Sequence, residues 1–215
     1  MTVHHHPPDD LLTAFAAGVL DLGQHIAIAT HLVGCPLCRA NVRAMEHVGG
    51  TILAGLTPTA MSREAFAAVA GRLSDVAVTR KPAAAGSDLA GVPRLPDFVR
   101  NYRADPWKWI APKMHLRPIH LPEESTTRVF LLKSRPGTKM IEHTHTGFEM
   151  TCVLSGSFAH VGGHFSPGDF DLGDGAVDHE VVVDSAEDCI CLVAMEGELK
   201  LNGVIGRLLQ PLIRL

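Results

Sequence analysis

The sequence predicts two domains: a small all-α domain in residues 1–78 and an all-β sandwich or barrel in residues 96–215, joined by a linker at 79–95. Before the linker, apolar residues recur at three- and four-residue steps, as they do on one face of a helix. After it, short runs such as TTRVFLLK and DCICLVAM are rich in β-branched residues and bounded by glycine or proline, which is typical of strands. Between the two patterns, proline, glycine and alanine replace the periodicity, as expected of a linker.

Composition excludes several classes of function. The net charge of the 215 residues is −4, so the chain is not expected to bind nucleic acid or an anionic membrane directly. No apolar run approaches the roughly 20 residues of a membrane span, and the first residues are polar rather than signal-like. The cysteine count of five is odd, which favours a reducing cytoplasm over a disulfide framework.

The clearest predicted helix begins at Ser62 and has one apolar face. Its polar face carries Arg63, Arg72 and Asp75. The apolar residues follow the helical period: Phe66, Val69, Leu73 and Val76. We expect this face to pack in the domain's own core, because most helical apolar stripes are internal. The alternative is that it packs on a partner protein.

The stretch HLVGCPLC places His31, Cys35 and Cys38 at steps of four and three residues, so their side chains can converge on one side of a helical segment. Two thiolates and one imidazole leave a tetrahedral zinc ion one ligand short. The cluster His4, His5, His6 can supply a fourth ligand, and His6 is favoured. A His2Cys2 site is formally neutral around Zn²⁺. The bound ion would join the N-terminal arm to the second helix.

Other interpretations of these residues remain open. A lone Cys-x-x-Cys pair can be a thioredoxin-like redox pair, but such pairs accompany a βαβ pattern that is not visible in this sequence. The cysteines could also be inert packing residues, and the three N-terminal histidines a polar tail. His25 is a weaker candidate for the fourth ligand, and His47 is expected to be a solvated helix residue.

A second metal site is predicted in GTKMIEHTHTGFEMTCVLSG, residues 137–156. His143 and His145 lie two residues apart and so share one face of a strand, while Gly147 lets the chain turn so that Glu149 rejoins them. His179, after the turn SPGD, is expected to complete the set. Such a His3Glu site would hold zinc or another divalent transition metal and leave a coordination position open.

Cys189 and Cys191 are predicted to pack in the core of the β domain. Residues two apart on a strand have Cα atoms about 6.5 to 7 Å apart, at or beyond the upper edge of disulfide spacing. A sensing role through separate oxidation and accessory metal ligation are the alternatives.

The second metal motif resembles the first sequence motif of the cupin superfamily, and every fixed residue is present. The second cupin motif is kept in Pro167, Gly168 and His179, whereas Val183 stands where an asparagine is expected. The resemblance implies a double-stranded β-helix barrel as the fold of the second domain.

The order of the motifs, HHH, HLVGCPLC and EHTHTGFE, makes the whole chain similar to ChrR-like zinc-dependent anti-sigma factors. The resemblance implies a cytoplasmic protein whose zinc domain holds an extracytoplasmic-function sigma factor inactive. Its cupin domain would release that factor under oxidative stress, notably singlet oxygen. The residues that match the family's metal ligands are His6, His31, Cys35 and Cys38 in the first domain and His143, His145, Glu149 and His179 in the second.

A different class of function stays open beside this one. Metal-bearing cupins include dioxygenases, and an open His3Glu site is competent for oxygen chemistry. The N-terminal domain distinguishes the two hypotheses, because an enzyme would not need it. The prediction is therefore a regulator and not an enzyme.

Overall fold

The structure, a computed structural model, describes residues 2–75, 88–122, 125–140, 143–174, 181–197 and 199–201. Helices dominate its first part, and a short 3-10 helix at Asp88–Gly91 follows them. The α-helices within the described residues are α1 (Asp9–Ala16), α2 (Leu22–Gly34), α3 (Pro36–Ala54), α4 (Ala65–Asp75) and α5 (Asp97–Arg100). No helix in the described part of the chain is both long enough and apolar enough to cross a membrane.

The second part consists of antiparallel strands. They are β1 (Arg103–Ala104), β2 (Lys108–Ala111), β3 (Met114–His120), β4 (Arg128–Ser134), β5 (His143–His145), β6 (Phe148–Ser155), β7 (Phe158–His160), β8 (Gly163–Phe165), β9 (Phe170–Asp174), β10 (Val182–Val183), β11 (Cys189–Met195) and β12 (Leu199–Leu201). A seven-stranded sheet has the order β1-β3-β4-β11-β6-β9, with β2 on β3; a three-stranded sheet has the order β10-β7-β8, and β12 pairs with β5. The predicted order of a helical part followed by a β-rich part is confirmed.

The large sheet is apolar on both faces, and each face belongs to a different core. Along β11, Leu192 and Ala194 lie in a core shared with the helices, whereas Cys191 and Val193 lie in a second core with residues of the small sheet. This alternation follows from the two-residue period of a strand. We call the first the shared core and the second the interior core. Because the shared core includes Ile28 of α2, the helical part packs directly on the sheet.

The start of α2 is fixed to the β-rich part by a carboxylate. The Asp21 side chain accepts a hydrogen bond from the Gly23 amide, and Gln24 completes a capping box. The same carboxylate accepts hydrogen bonds from the Ser125 hydroxyl at 2.8 Å and the Thr126 amide at 3.2 Å, just before β4. One side chain therefore both caps a helix and joins it to the sheet.

The second half of the predicted linker is packed rather than exposed. Leu89, Val92 and Leu95 are buried in the shared core. The Arg100 guanidinium donates hydrogen bonds to the carbonyls of all three residues, at 3.1 Å for Val92 and 3.2 Å for Leu95. Residues 79–87 lie outside the described residues. The boundaries of the two domains stay a prediction.

The prediction that the apolar face of the fourth helix is internal is wrong. Helix α4 begins at Ala65 rather than Ser62, and Phe66, Val69 and Leu73 are 82%, 55% and 72% exposed. The sequence period correctly marks an apolar face, but a period does not reveal what covers that face. Val76, the last residue of the predicted stripe, lies outside the described residues.

Candidate metal centre

The junction between α2 and α3 places two sulfur atoms side by side. Cys35 ends α2 and caps α3 with extended backbone angles, φ −108° and ψ 103°. Pro36 occupies the first turn of α3, where a missing amide hydrogen costs nothing. The Cys38 amide donates a hydrogen bond to Cys35 Sγ at 3.4 Å. The local helix break therefore turns both thiols toward one point.

Two histidines reach the same point from different directions. His31 lies in the last turn of α2, and His6 lies in the extended segment of residues 2–8 that precedes α1, which we call the N-terminal strap. His6 Nδ1 is 3.4 Å from Cys35 Sγ and 3.3 Å from Cys38 Sγ. One ligand atom from each of the four residues lies within 4.8 Å of the others. The four N-terminal residues predicted from sequence are therefore brought together.

The His31 ring presents one nitrogen to this cluster. Its Nδ1 donates a hydrogen bond to the Gly168 carbonyl at 2.8 Å, which leaves Nε2 with a free lone pair. Nε2 is buried and has no hydrogen-bond partner among the residues that the structure describes. An orphaned buried nitrogen is costly unless a further group binds it. The arrangement suits a metal ligand, because a ligating histidine normally donates its other N–H to a carbonyl.

Burial controls the charge of the cluster. It lowers the pKa of His31 to about 4, so the imidazole is neutral near pH 7 and can act as a ligand. Burial, together with the hydrogen bond from Cys35, raises the pKa of Cys38 to about 12. Without a cation the thiol therefore keeps its proton, and binding of a divalent ion would release it.

The donor set is that of a closed structural site. Zn–S and Zn–N bonds of about 2.3 and 2.1 Å place the ligand atoms of a tetrahedral ion roughly 3.6 Å apart, close to the observed His6 distances. Two thiolates and two neutral imidazoles balance the charge of Zn²⁺. A histidine beside both sulfurs favours a metal over a redox pair, and the surrounding strands are antiparallel rather than βαβ. The cluster could hold a metal and is consistent with zinc.

The other N-terminal histidine candidates have different environments. The backbone amides of His4 and His5 donate to the Asp169 carboxylate, and the His5 ring stacks on Phe165 with ring centres 4.1 Å apart. His25 stacks on Phe15. His47 is exposed on α3. None of the four belongs to the cluster.

The second predicted set is described only in part. His143 and His145 form the two ends of β5. Glu149 lies half-buried on β6, where its carboxylate accepts a hydrogen bond from the Thr151 hydroxyl at 3.1 Å. His179 lies outside the described residues. A metal site at His143, His145, Glu149 and His179 therefore stays a prediction.

Cys189 and Cys191 are both buried in the interior core, as predicted. Their sulfur atoms are 3.8 Å apart, and β11 has a bulge between Ile190 and Cys191 in its pairing with β6. The hydrogen bond with the neighbouring Cys189 thiol, together with burial, raises the pKa of Cys191 well above its usual value. A protonated thiol is a poor nucleophile, so this environment favours packing over reactivity.

Two residues beside the metal cluster were not predicted as functional. The Gly168 carbonyl orients His31, and the Asp169 carboxylate holds the N-terminal strap. Both lie in the SPGD turn between β8 and β9, more than 130 positions from their partners. The sequence marks this turn as part of a cupin motif, but it gives no signal for a contact with the first residues of the chain.

Comparisons with known proteins give the following similarities. The family model of the ChrR cupin-like domain matches residues 96–198. The anti-sigma-E factor ChrR of Cereibacter sphaeroides is 34% identical over 215 residues, the full length of both chains. The crystal structure of Rhodobacter sphaeroides SigE in complex with the anti-sigma ChrR contains a chain that is 32% identical. That chain matches with a TM-score of 0.72 over 91% of this chain and 100% of its own length. The β-rich part thus has the predicted cupin fold, and the similarity extends through the helical part.

Proposed function

The chain belongs to the ChrR family, and from this premise we propose that it sequesters an extracytoplasmic-function sigma factor and releases it under oxidative stress. The relative of known structure was crystallised in complex with SigE, which makes a sigma factor the expected partner. The site of action is then the cytoplasm, where sigma factors meet RNA polymerase. Direct contact with DNA is not required, and residues 1–78 carry four Arg against six Asp or Glu, a net of −2.

An exposed apolar surface on α3 and α4 is the observation that carries this proposal. Its large side chains all lie on the outside of the two helices: Val48, Ile52, Leu53, Phe66, Val69 and Leu73. We call this set the helical apolar surface. Several large apolar side chains exposed on neighbouring segments mark a protein-binding region when the described part of their own chain does not cover them. We assign the sigma factor as its occupant, because the similarity to the SigE-bound relative includes the helical part.

Zinc in the N-terminal cluster would stabilise the helix that carries part of this surface. The ion would tie the strap and the end of α2 to the start of α3, the helix that carries Val48, Ile52 and Leu53. Its role is structural, because four protein ligands leave no open position for a substrate. Zinc would therefore hold α3 in the orientation needed for binding.

The cupin part is proposed as the sensing and release module. We infer that His143, His145, Glu149 and His179 hold zinc or another divalent transition metal with one open position. The spacing of the motif supports this set, as does the partly buried carboxylate of Glu149 beside Thr151. The alternative function, a metal-dependent cupin enzyme such as a dioxygenase, uses the same residues but leaves the helical apolar surface unexplained.

A transcription assay tests the sequestering function. RNA polymerase is combined with an extracytoplasmic-function sigma factor that co-purifies with this chain, and the purified chain is added before the promoter DNA. We expect transcripts from that sigma factor's promoter to disappear near one chain per sigma factor. Transcription by the housekeeping sigma factor provides the control. Full activity of the specific sigma factor at tenfold excess of the chain would contradict the proposal.

A second test concerns release. Cells carrying His143→Ala with Glu149→Ala should still repress the sigma-dependent promoter but lose most of its induction by singlet oxygen, because the open metal site is removed. Cys189→Ser with Cys191→Ser, which changes two buried thiols of the interior core, should keep that induction. A promoter reporter measures both. The opposite pattern would assign sensing to the cysteines instead.

A further inference from the structure

The N-terminal strap is held on the β-rich part by one buried carboxylate. Asp169 is 1% exposed. Its Oδ1 accepts hydrogen bonds from the backbone amides of His4 at 2.6 Å and His5 at 3.0 Å. Its Oδ2 accepts one from the Ser166 amide at 2.8 Å, within the turn between β8 and β9. Asp169 thus joins the strap to this turn through hydrogen bonds to a charged group, which are stronger than neutral ones.

Further contacts fix the position of the strap on the same turn. The Phe170 amide donates a hydrogen bond to the His5 carbonyl at 3.1 Å. Gly168 has φ +96°, and a Cβ at this position would lie 3.0 Å from a methyl group of Val3. The turn therefore needs glycine both for its backbone angle and for the close approach of the strap. These contacts end one residue before His6.

The turn consequently controls two of the four residues of the metal cluster. Asp169 fixes the strap immediately before His6, whose Nδ1 lies beside both sulfurs. The Gly168 carbonyl accepts the hydrogen bond from His31 Nδ1 and so directs Nε2 away from the turn. The other two ligands, the thiols of Cys35 and Cys38 at the α2–α3 junction, do not depend on these contacts.

We propose that Asp169 is a positioning residue for the N-terminal metal site, through which the β8–β9 turn of the cupin part sets how tightly the helical part retains its metal. This inference rests on the proposed zinc at His6, His31, Cys35 and Cys38. It adds a connection between the metal cluster and the β-rich part to the apolar contacts of the shared core. Because coupling between sites is reciprocal, loss of the metal also loosens the strap from Asp169.

Cobalt substitution isolates this site in the full-length chain. Co²⁺ bound to the two thiolates has a sulfur-to-metal absorption band that a His3Glu cupin site lacks, so the band reports the N-terminal cluster alone. Its decay after addition of excess EDTA gives the rate of metal loss. We expect Asp169→Asn to lose cobalt on the order of 10- to 100-fold faster than the unchanged chain, the range for residues that support metal ligands. Asp105→Asn, a carboxylate bound to Lys108 and His120 instead, should release it at the original rate.

A second pair of variants avoids any change to the β-rich part. His4→Pro removes the amide hydrogen that Asp169 accepts, whereas His4→Ala removes the same exposed ring but keeps that hydrogen. We expect faster cobalt loss for His4→Pro only. Hydrogen exchange at the Phe170 amide should also accelerate when the metal is removed, because its acceptor is the strap carbonyl of His5.

The outcomes separate the two proposals. If the unchanged chain shows no cobalt–thiolate band, the N-terminal metal site itself is refuted. If the band is present and His4→Pro loses cobalt no faster than His4→Ala, the positioning role of Asp169 is refuted while the metal site stands. The comparison of His4→Pro with His4→Ala tests the positioning role of Asp169 even if the Asp169→Asn chain fails to fold.

Discussion

Replacing Cys35 by alanine is expected to remove the N-terminal zinc and abolish sigma-factor binding. The change deletes one of two thiolates and leaves Cys38, His6 and the buried Nε2 of His31 around an incomplete site. Structural zinc contributes on the order of 10 kcal/mol to folding, comparable to the whole stability of about 5–15 kcal/mol of a typical domain. The zinc content should fall by one ion per chain, measured by mass spectrometry, and the helical circular dichroism should decrease.

Cys152→Ala is the matched control for this prediction. Cys152 is 1% exposed on β6, so the variant also removes one buried thiol, but from outside the cluster. It should keep the N-terminal zinc and bind the sigma factor. A Cys35→Ala chain that binds the sigma factor as tightly as the unchanged protein would refute a structural role for the metal.

The second large effect is expected at the helical apolar surface. Phe66→Ser combined with Leu73→Ser removes two exposed apolar side chains that lie seven residues apart on one face of α4. A central residue of an interface contributes about 2–4 kcal/mol, so loss of even one of the two contacts should lower affinity for the sigma factor by at least about 30-fold. Calorimetry or fluorescence anisotropy with the purified sigma factor measures this loss.

Folding and zinc content should not change in this variant, because exposed positions contribute little to stability. Val161→Ser is the matched control: Val161 is also 82% exposed, but it lies in the hairpin between β7 and β8. Equal affinities for the double variant and the Val161→Ser chain would show that the sigma factor binds elsewhere.

The four ligands of the metal cluster could be predicted from the sequence, whereas the residues that position two of those ligands could not. His31, Cys35 and Cys38 lie within eight positions, so helical spacing alone brings them together. His6 could be proposed because zinc needs a fourth ligand. The role of Asp169 could not be found in this way, since it depends on a contact across 164 positions with backbone amides, which carry no signal in the residue types.

The fold shows the same division. The alternation of β11 between Leu192 on one face and Cys191 and Val193 on the other follows directly from its sequence. The interpretation of α4 was wrong because its period resembles that of a helix with a buried face, although Phe66 is exposed. The sequence of one chain does not reveal whether such a face is buried within that chain or is left for a partner protein.

The packing of α2 on the sheet has a consequence for the order of events during synthesis. Ile26 and Ile28 of α2 are buried against a core that includes Leu192 and Ala194 of β11, more than 150 residues later in the chain. At roughly 5–20 residues per second, a ribosome needs on the order of 10 to 30 seconds to make that distance. During this interval the sheet lacks β11, the strand that lies between β4 and β6, so the nascent helix cannot complete its native packing. The native core around α2 is therefore completed only after β11 has been synthesised.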